Sequence, residues 1–560
     1  MRLRTLLPAL LCPALLAAVE PPTGVTFRDI TAQAGIAFVH NNGAFGKKWM
    51  PETYGSGCVF FDFDADGRQD LLLVNGSRFP GQPGEVTTSR LYRNLGSGRF
   101  ADVTKGSGLD VDLLGMGGAA GDFDGDGLVD LAVTHVRGVQ LYRNLGGGRF
   151  ADVTERNGII EKEWASSALV FDYDEDGALD LAVARYLQWS PNRDVHCNNT
   201  GRGKSYCTPD MYKGEGLRLY HNRGNGTFSE VTRDAGVFSS NSRSLGLAML
   251  DYDGDGWMDF IVANDGTPNQ LFRNTGMGTF TDVAYKAGVA VRENGAARAG
   301  MGVDAADYDE SGRPSLIIGN FSNEMLAMYH NEGNGLFIDE APTSNIGKDT
   351  LFSLTFGLFF FDYDLDGRPD IFAANGHITE DFPVFVKNVT YAQRPHLFRN
   401  LGGKRFAEAI GDVGPDLARK VVGRGAAYAD IDDDGDLDFV MTESHGPARL
   451  YRNDGGVHHA LRVRVVGVKS NRDGIGARVD VTREDGSKAW MLVKSGSSYL
   501  SQSELPVTFG LGGATKVRSL SVTWPDGTVQ ALGPQDADRT LVVREGSGIV
   551  SRKPFARRSR

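Results

Sequence analysis

A nine-residue pattern, D-x-D-x-D-G-x-x-D, recurs along this 560-residue chain and constrains its fold more than any other feature. It is complete at Asp62, Asp64, Asp66 and Asp70, at Asp122, Asp124, Asp126 and Asp130, and at Asp172, Asp174, Asp176 and Asp180. Further copies hold Asp251, Asp253, Asp255 and Asp259, then Asp362, Asp364, Asp366 and Asp370, then Asp430, Asp432, Asp434 and Asp438. The fifth copy in chain order keeps Asp307 and Asp309 but has Ser311 and Ser315 where the others have aspartate. Each copy precedes an LYRN-like segment, from LYRNLGSGRF at Leu91 to LYRNDGG at Leu450, and the first six add an FADVT-like run, from Phe100 to Phe406. The seventh repeat breaks off without that run, while FRDIT at Phe27 stands spare at the other end. A toroid closes by letting its first strand complete its last sheet, so the offset predicts an all-β, seven-bladed β-propeller over residues 22–456. Short apolar runs after each copy, such as LLLV and LAVT, fit strands buried on both faces. Small residues before the copies, as in GMGGAAGDFD and GRGAAYADID, suit strands crowded toward an axis.

Carboxylates at positions 1, 3, 5 and 9 converge on one point when a glycine at position 6 permits the sharp turn. Hard oxygen donors without His or Cys favour Ca²⁺ over zinc or copper. An EF-hand needs a Glu at position 12 and flanking helices; here position 12 is Leu73, Val133, Val183, Val262, Ile318, Ala373 or Met441, all strand interior. The expectation is therefore six calcium-binding β-hairpin loops and a weak or empty seventh at Asp307 and Asp309. An ordinary acidic turn is the competing reading of any one copy, but four like charges this close repel without a cation among them.

The repeats resemble the FG-GAP/VCBS repeats of integrin α-subunit propellers. Downstream, HHALRVRV at His458, SNRDGIGARV at Ser470, SGSSYLSQ at Ser495, FGLG at Phe509 and VTWPDG at Val522 resemble the ASPIC/UnbV domain of the cartilage acidic protein family. This resemblance implies a secreted, calcium-binding propeller followed by a small β-rich, sandwich-like domain, placed at 457–545, in a family whose biochemical activity is poorly defined. Residues 546–560, ending SRKPFARRSR, read as a basic disordered tail.

Arg2 and Arg4 followed by an apolar run from Leu6 to Ala18 read as a signal peptide over 1–18. That predicts a secreted, extracellular chain, or a periplasmic or outer-surface one in a bacterium, with no transmembrane segment. In an oxidising compartment Cys197 and Cys207, bracketing the glycine-bearing NNTGRGKSY, are expected to form a loop-closing disulfide, and Cys58 to be a small buried side chain. A net charge of −12 argues against nucleic acid as a partner.

A four-residue strand spans about 13 Å, so the residue five past the last acidic position falls on the opposite face of the ring. Those residues are Asn75, His135, Arg185, Asn264, Asn320, Asn375 and Glu443. They are either ordinary polar strand ends or a ring of ligand-binding groups at the channel mouth. From position 9 to the LYRN-like segment takes 21, 39 and 27 residues in repeats one, three and six, against 11 to 13 elsewhere. These insertions carry aromatic residues, among them Tyr186, Trp189, Tyr206 and Tyr212, then Phe382, Phe385 and Tyr391, suited to sugars or a protein partner. The expected function is a monomeric extracellular binding or adhesion module for a glycan or protein, with calcium structural. A polysaccharide lyase or hydrolase working at the channel face, and a matrix protein binding through its C-terminal domain, are the alternatives. The chain has no nucleophile elbow and no H-E-x-x-H, and its obvious aspartates are committed to metal, which argues against catalysis.

Overall fold

The structure is a computed structural model that describes residues 23–199, 201, 203–381 and 388–556. The leader expected over 1–18 lies outside the described residues, as do Phe382, Phe385 and the last four residues of the tail.

Seven four-stranded antiparallel sheets form the propeller. Blade one runs Cys58–Phe61, Asp70–Leu73, Arg90–Gly96 and Arg99–Asp102 from the hub outward. Blades two to six repeat this order, with hub strands Gly115–Gly121, Ala165–Phe171, Ser244–Leu250, Gly300–Ala306 and Thr355–Phe361. Blade seven comprises Gly423–Ala429, Asp438–Glu443 and Arg449–Asn453, and its outer strand is Phe27–Asp29, paired from Phe27↔Asn453 to Asp29↔Tyr451. The spare FRDIT thus closes the ring, as the offset of the repeats requires. Hub and second strands are buried on both faces, which explains their continuous rather than alternating apolar pattern.

The LYRN asparagine joins neighbouring blades. Asn144 Nδ2 donates to Phe63 O of blade one at 2.8 Å, Asn222 to Phe123 O of blade two at 2.8 Å, and Asn274 to Tyr173 O of blade three at 2.7 Å. The same bond runs from Asn331 to Tyr252 O, Asn400 to Tyr308 O and Asn453 to Tyr363 O, and Asn94 to Ile431 O links blade one to blade seven. A primary amide suits the position because its two N–H groups also satisfy a carbonyl of the home blade, as Asn94 does with Gln69 O at 3.0 Å.

The C-terminal domain is a sandwich of two four-stranded sheets. One contains His459–Val466, parallel to Arg539–Arg544; the other contains Arg478–Arg483 beside Lys488–Leu492. Leu461, Val463, Val479, Val522, Trp524 and Leu541 form its core. Gly548–Pro554 pairs with Arg539–Arg544, Lys553 Nζ reaches Asp433 Oδ2 at 2.8 Å and Ala556 N donates to Asp433 O at 2.7 Å. The expectation of a disordered tail from 546 is corrected to this extent: the ladder to a core strand outweighs the repulsion of its basic side chains.

The segment Ser495–Glu504 leaves the sandwich and fills the propeller's hub. It bonds to the hub of every blade: Gln502 N to Cys58 O (2.9 Å), Ala120 N to Gln502 Oε1 (3.0 Å), Val170 N to Ser495 Oγ (2.9 Å) and Ser497 N to Leu247 O (3.0 Å). Ser498 N meets Val303 O at 2.8 Å, Leu358 N meets Ser498 Oγ at 3.1 Å and Tyr428 N meets Ser503 Oγ at 3.1 Å. The inner edges of seven sheets carry unpaired backbone groups, and one serine-rich loop satisfies them. Small hub residues are required for its passage: a Cβ on Gly57 would lie 1.9 Å from Leu500 O, and one on Gly117 2.2 Å from it.

Candidate metal centres

Each acidic loop turns on its first carboxylate. In loop one Asp62 accepts the N–H groups of Asp66 (3.0 Å) and Gly67 (2.9 Å), and Gly67 sits at φ +88°, a conformation that favours glycine. Oxygen atoms of Asp62, Asp64 and Asp66 come within 4.8 Å of one another, as do those of Asp122, Asp124 and Asp130 and those of Asp172, Asp174 and Asp176. The ninth position has a structural duty too. Asp70 accepts Asn94 N at 2.7 Å with one oxygen and Phe63 N at 3.1 Å with the other, binding the loop to the third strand. Asp130, Asp180, Asp259, Asp370 and Asp438 make the same pair of bonds.

Burial first, and neighbouring carboxylates second, push these acids up: Asp70, Asp130 and Asp172 to about 8, and Asp430 to about 7 despite the nearby Arg462. Buried oxygens of Asp64, Asp172, Asp174 and Asp430 have no hydrogen-bond donor. Carboxylate oxygens with unpaired lone pairs and a disfavoured charge fit a hard dication such as Ca²⁺.

Loop five is built otherwise. Trp490 Nε1 of the C-terminal domain donates to Asp307 Oδ2 at 3.0 Å, His330 Nε2 meets Asp309 Oδ2 at 2.8 Å, and Ser315 Oγ accepts Asn331 N at 3.1 Å, replacing the ninth carboxylate. The C-terminal domain covers the loop face elsewhere as well. Arg464 Nη1 lies 3.3 Å from Asp62 Oδ2, Asp122 N donates to the half-buried Asp473 at 2.7 Å, and Arg483 Nη2 donates to Gly367 O at 2.7 Å. Between this domain and loops four to six lies a cavity of about 810 Å³, bordered by Trp257, Met258, Arg478, Asp480, Lys488 and Trp490.

The family described as FG-GAP-like repeat matches residues 62–133, 122–183, 206–262, 251–318 and 307–373, together just over half of the chain. The chain belongs to the FG-GAP-like repeat family. The family described as ASPIC and UnbV matches residues 467–550. Cartilage acidic protein 1 of Mus musculus is 28% identical over 339 residues, 55% of this chain and 48% of the relative. The Homo sapiens protein of that name is 28% identical over 313 residues, 53% of this chain and 43% of the relative. The chain thus spans about half the length of the curated relatives it matches. Among solved structures, the BP39L lectin from Burkholderia pseudomallei aligns with 72% of this chain and 97% of its own at 10% identity and TM-score 0.44. An Agrocybe aegerita lectin that recognises non-reducing terminal N-acetylglucosamine aligns with 70% and 87% at 18% identity and TM-score 0.37. Among the described residues no helix is long and apolar enough to cross a membrane.

The seven polar strand ends of this FG-GAP-like propeller are all buried, none more than 9% exposed. Asn264 bonds Pro268 O and Ser244 Oγ, Asn375 bonds Arg394 O and Thr355 Oγ1, and Asn320 bonds Met325 O. Arg185 pairs with Glu161 and Glu215, Glu443 with Arg449, and burial lowers His135 to about 4. An open ring of ligand groups is not formed, because the connecting loops fold back over the strand ends and use these groups as their own anchors. Asn75, bonded to Asn41 N at 2.8 Å, also borders a polar cleft of about 420 Å³ with His40, Arg78, Arg90 and His445. The insertion aromatics likewise turn inward: Tyr186, Trp189 and Tyr212 are buried, and Trp189 packs edge-to-face with Trp49 and Trp164 at the far end of the hub. Cys197 and Cys207 are bonded there, with Cα atoms 5.3 Å apart, and Cys58 is buried and its thiol pushed up to about 12. The hub plug escaped sequence reasoning; its one local signal is SGSS, whose Ser497 and Ser498 take positive φ in the hub.

Proposed function

We propose that this chain is a secreted, monomeric, extracellular binding module in which six Ca²⁺ ions, one in each complete loop, hold propeller and C-terminal domain as a single body. The observation that carries this reading is the position of the acidic loops under the C-terminal domain: Arg464, Asp473 and Arg483 of that domain contact loops one, two and six. A cation that orders a loop therefore also orders the surface on which the domain rests. The ligand we propose is a glycan, held in the cavity between the two domains, where the Trp257 ring lies among Asp480, Lys488 and an Arg478 guanidinium that stacks over Trp490 at 4.4 Å. Calcium is structural in this reading, and the carboxylates it engages do no chemistry.

The test joins cation counting to ligand screening. Native mass spectrometry of the chain expressed without residues 1–18 should find six Ca²⁺, and a polysaccharide array should give binding that chelation and Trp257→Ala both remove. A protein that keeps no Ca²⁺ after desalting in micromolar calcium sinks the metal part. Glycan binding unchanged by Trp257→Ala sinks the assignment of the cavity.

A further inference from the structure

The third loop differs from its neighbours in the residue that faces its carboxylates. In loops one, two, four and six the LYRN arginine lies against the third position: Arg93 to Asp64 at 2.6 Å, Arg143 to Asp124 at 2.5 Å, Arg273 to Asp253 at 2.6 Å and Arg399 to Asp364 at 2.8 Å. A guanidinium is always a cation and has no lone pair to give a metal. Blade three reads LYHN, and His221 stands there instead. Its Nδ1 lies 3.4 Å from Asp174 Oδ2 and 3.3 Å from Asp180 Oδ1, and donor atoms of the three residues come within 4.8 Å of one another. Ligands at about 2.0–2.2 Å from one ion stand roughly 3–3.5 Å apart, which is the spacing seen.

Two further observations point to a ligand. Asp172 is 5% exposed, and its Oδ1 is buried without a hydrogen-bond partner beside the same cluster. Asp174 Oδ1 is buried and without a hydrogen-bond partner as well. The other histidine of this type, His330 in blade five, is differently placed: Nε2 meets Asp309 at 2.8 Å and Nδ1 meets Glu332 at 2.6 Å, so both nitrogens are engaged by carboxylates.

From this geometry we infer that loop three is a mixed nitrogen and oxygen site selective for a divalent first-row transition cation, with His221, Asp172, Asp174 and Asp180 as its ligands. The inference rests on the reading of the loops as cation sites and separates this one from the other five: loop three takes a sixth Ca²⁺ only where no transition cation competes for it. Ca²⁺ gains little from an imidazole, whereas Mn²⁺, Co²⁺ and Zn²⁺ bind it well. An imidazole bound to the ion carries no charge of its own, so it also lacks the repulsion a guanidinium would exert there.

Mn²⁺ is the probe. The mature chain is equilibrated with one equivalent of Mn²⁺ in a large excess of Ca²⁺ and read by pulsed EPR, with bound Ca²⁺ counted by native mass spectrometry. One Mn²⁺ that resists Ca²⁺ and shows ¹⁴N coupling from an imidazole is the expected result. His221→Arg, which restores the residue of the other loops, and His221→Asn, which supplies an oxygen, should each abolish the coupling and weaken Mn²⁺ by about tenfold or more. Mn²⁺ displaced evenly from every loop, or coupling that survives His221→Arg, overturns the inference while leaving calcium in the loops intact. A chain that holds neither ion overturns the cation reading of all the loops.

Discussion

Loops five and six lie side by side under one arginine, and they keep their carboxylates in place by opposite means. Arg483 Nη1 bonds Glu310 Oε1 of loop five at 2.9 Å, and its Nη2 bonds Gly367 O of loop six at 2.7 Å. In loop six Asp362 and Asp370 are buried together with Asp364, and burial and mutual repulsion push both well above the usual carboxylate range. In loop five a tryptophan and a histidine satisfy the two remaining aspartates, and Ser315 supplies a neutral oxygen where the ninth carboxylate would stand. Under the calcium proposal one loop takes a cation from solution; the carboxylates of the other are satisfied by side chains of the protein itself. The lesson is that a degenerate repeat need not be a weakened one, provided a neighbouring domain supplies the missing partner.

Chelation should separate the two most strongly. Removing Ca²⁺ with EDTA at neutral pH is expected to lower Tm by about 10 °C or more, since each site contributes about 4 kcal/mol at a thousandfold excess of cation over Kd. An EDTA melt that superimposes on the calcium melt would dissolve the distinction between the loops.

The second effect is one of pH. Asp70, Asp130 and Asp172 have folded values near 8, above their unfolded values near 3.8, so each costs stability once it is ionised in the fold. That cost is largest above pH 8 and is relieved as pH falls through the folded values. Tm in EDTA should therefore rise between pH 8.5 and pH 6, whereas Tm in calcium should fall as protons compete for the ligands. Parallel pH profiles with and without EDTA would contradict the assignment.

Single substitutions follow. Asp364→Ala in loop six should remove one Ca²⁺ from the native mass spectrum and about 4 kcal/mol at saturating calcium. Asp309→Ala in loop five should leave the calcium count unchanged and cost about 1–3 kcal/mol by depriving Nε2 of the buried His330 of its carboxylate. Equal calcium loss in both variants would show that loop five is a metal site after all. The smallest expected change is Trp490→Phe, which deletes the bond to Asp307 for about 1 kcal/mol, read by urea denaturation, with no change in bound calcium.

Much of the fold was legible because a repeat states its own architecture: copies of LYRN and FADVT, offset by FRDIT at Phe27, dictated both blade number and the strand that closes the ring. Loop five was legible as a departure, from Ser311 and Ser315 alone. Its replacement partners were not, because Trp490 is separated from Asp307 by 183 residues and belongs to another domain. The polar strand ends left two readings open for a physical reason: Asn264 and Asn375 stand where strands end, and only the tertiary fold shows that the connections return over them and consume their hydrogen bonds.

The sequence by itself determined the seven blades, the acidic loops, the disulfide between Cys197 and Cys207 and the existence of a second β-domain, since each is encoded by residues close together in the chain. Tertiary structure alone decided that Ser495–Glu504 fills the hub and that the sandwich rests on the acidic loops. Hub edges from seven separate sheets offer backbone N–H and C=O groups, which look alike in every sequence, and only their convergence on one axis creates the site that a serine-rich loop can satisfy.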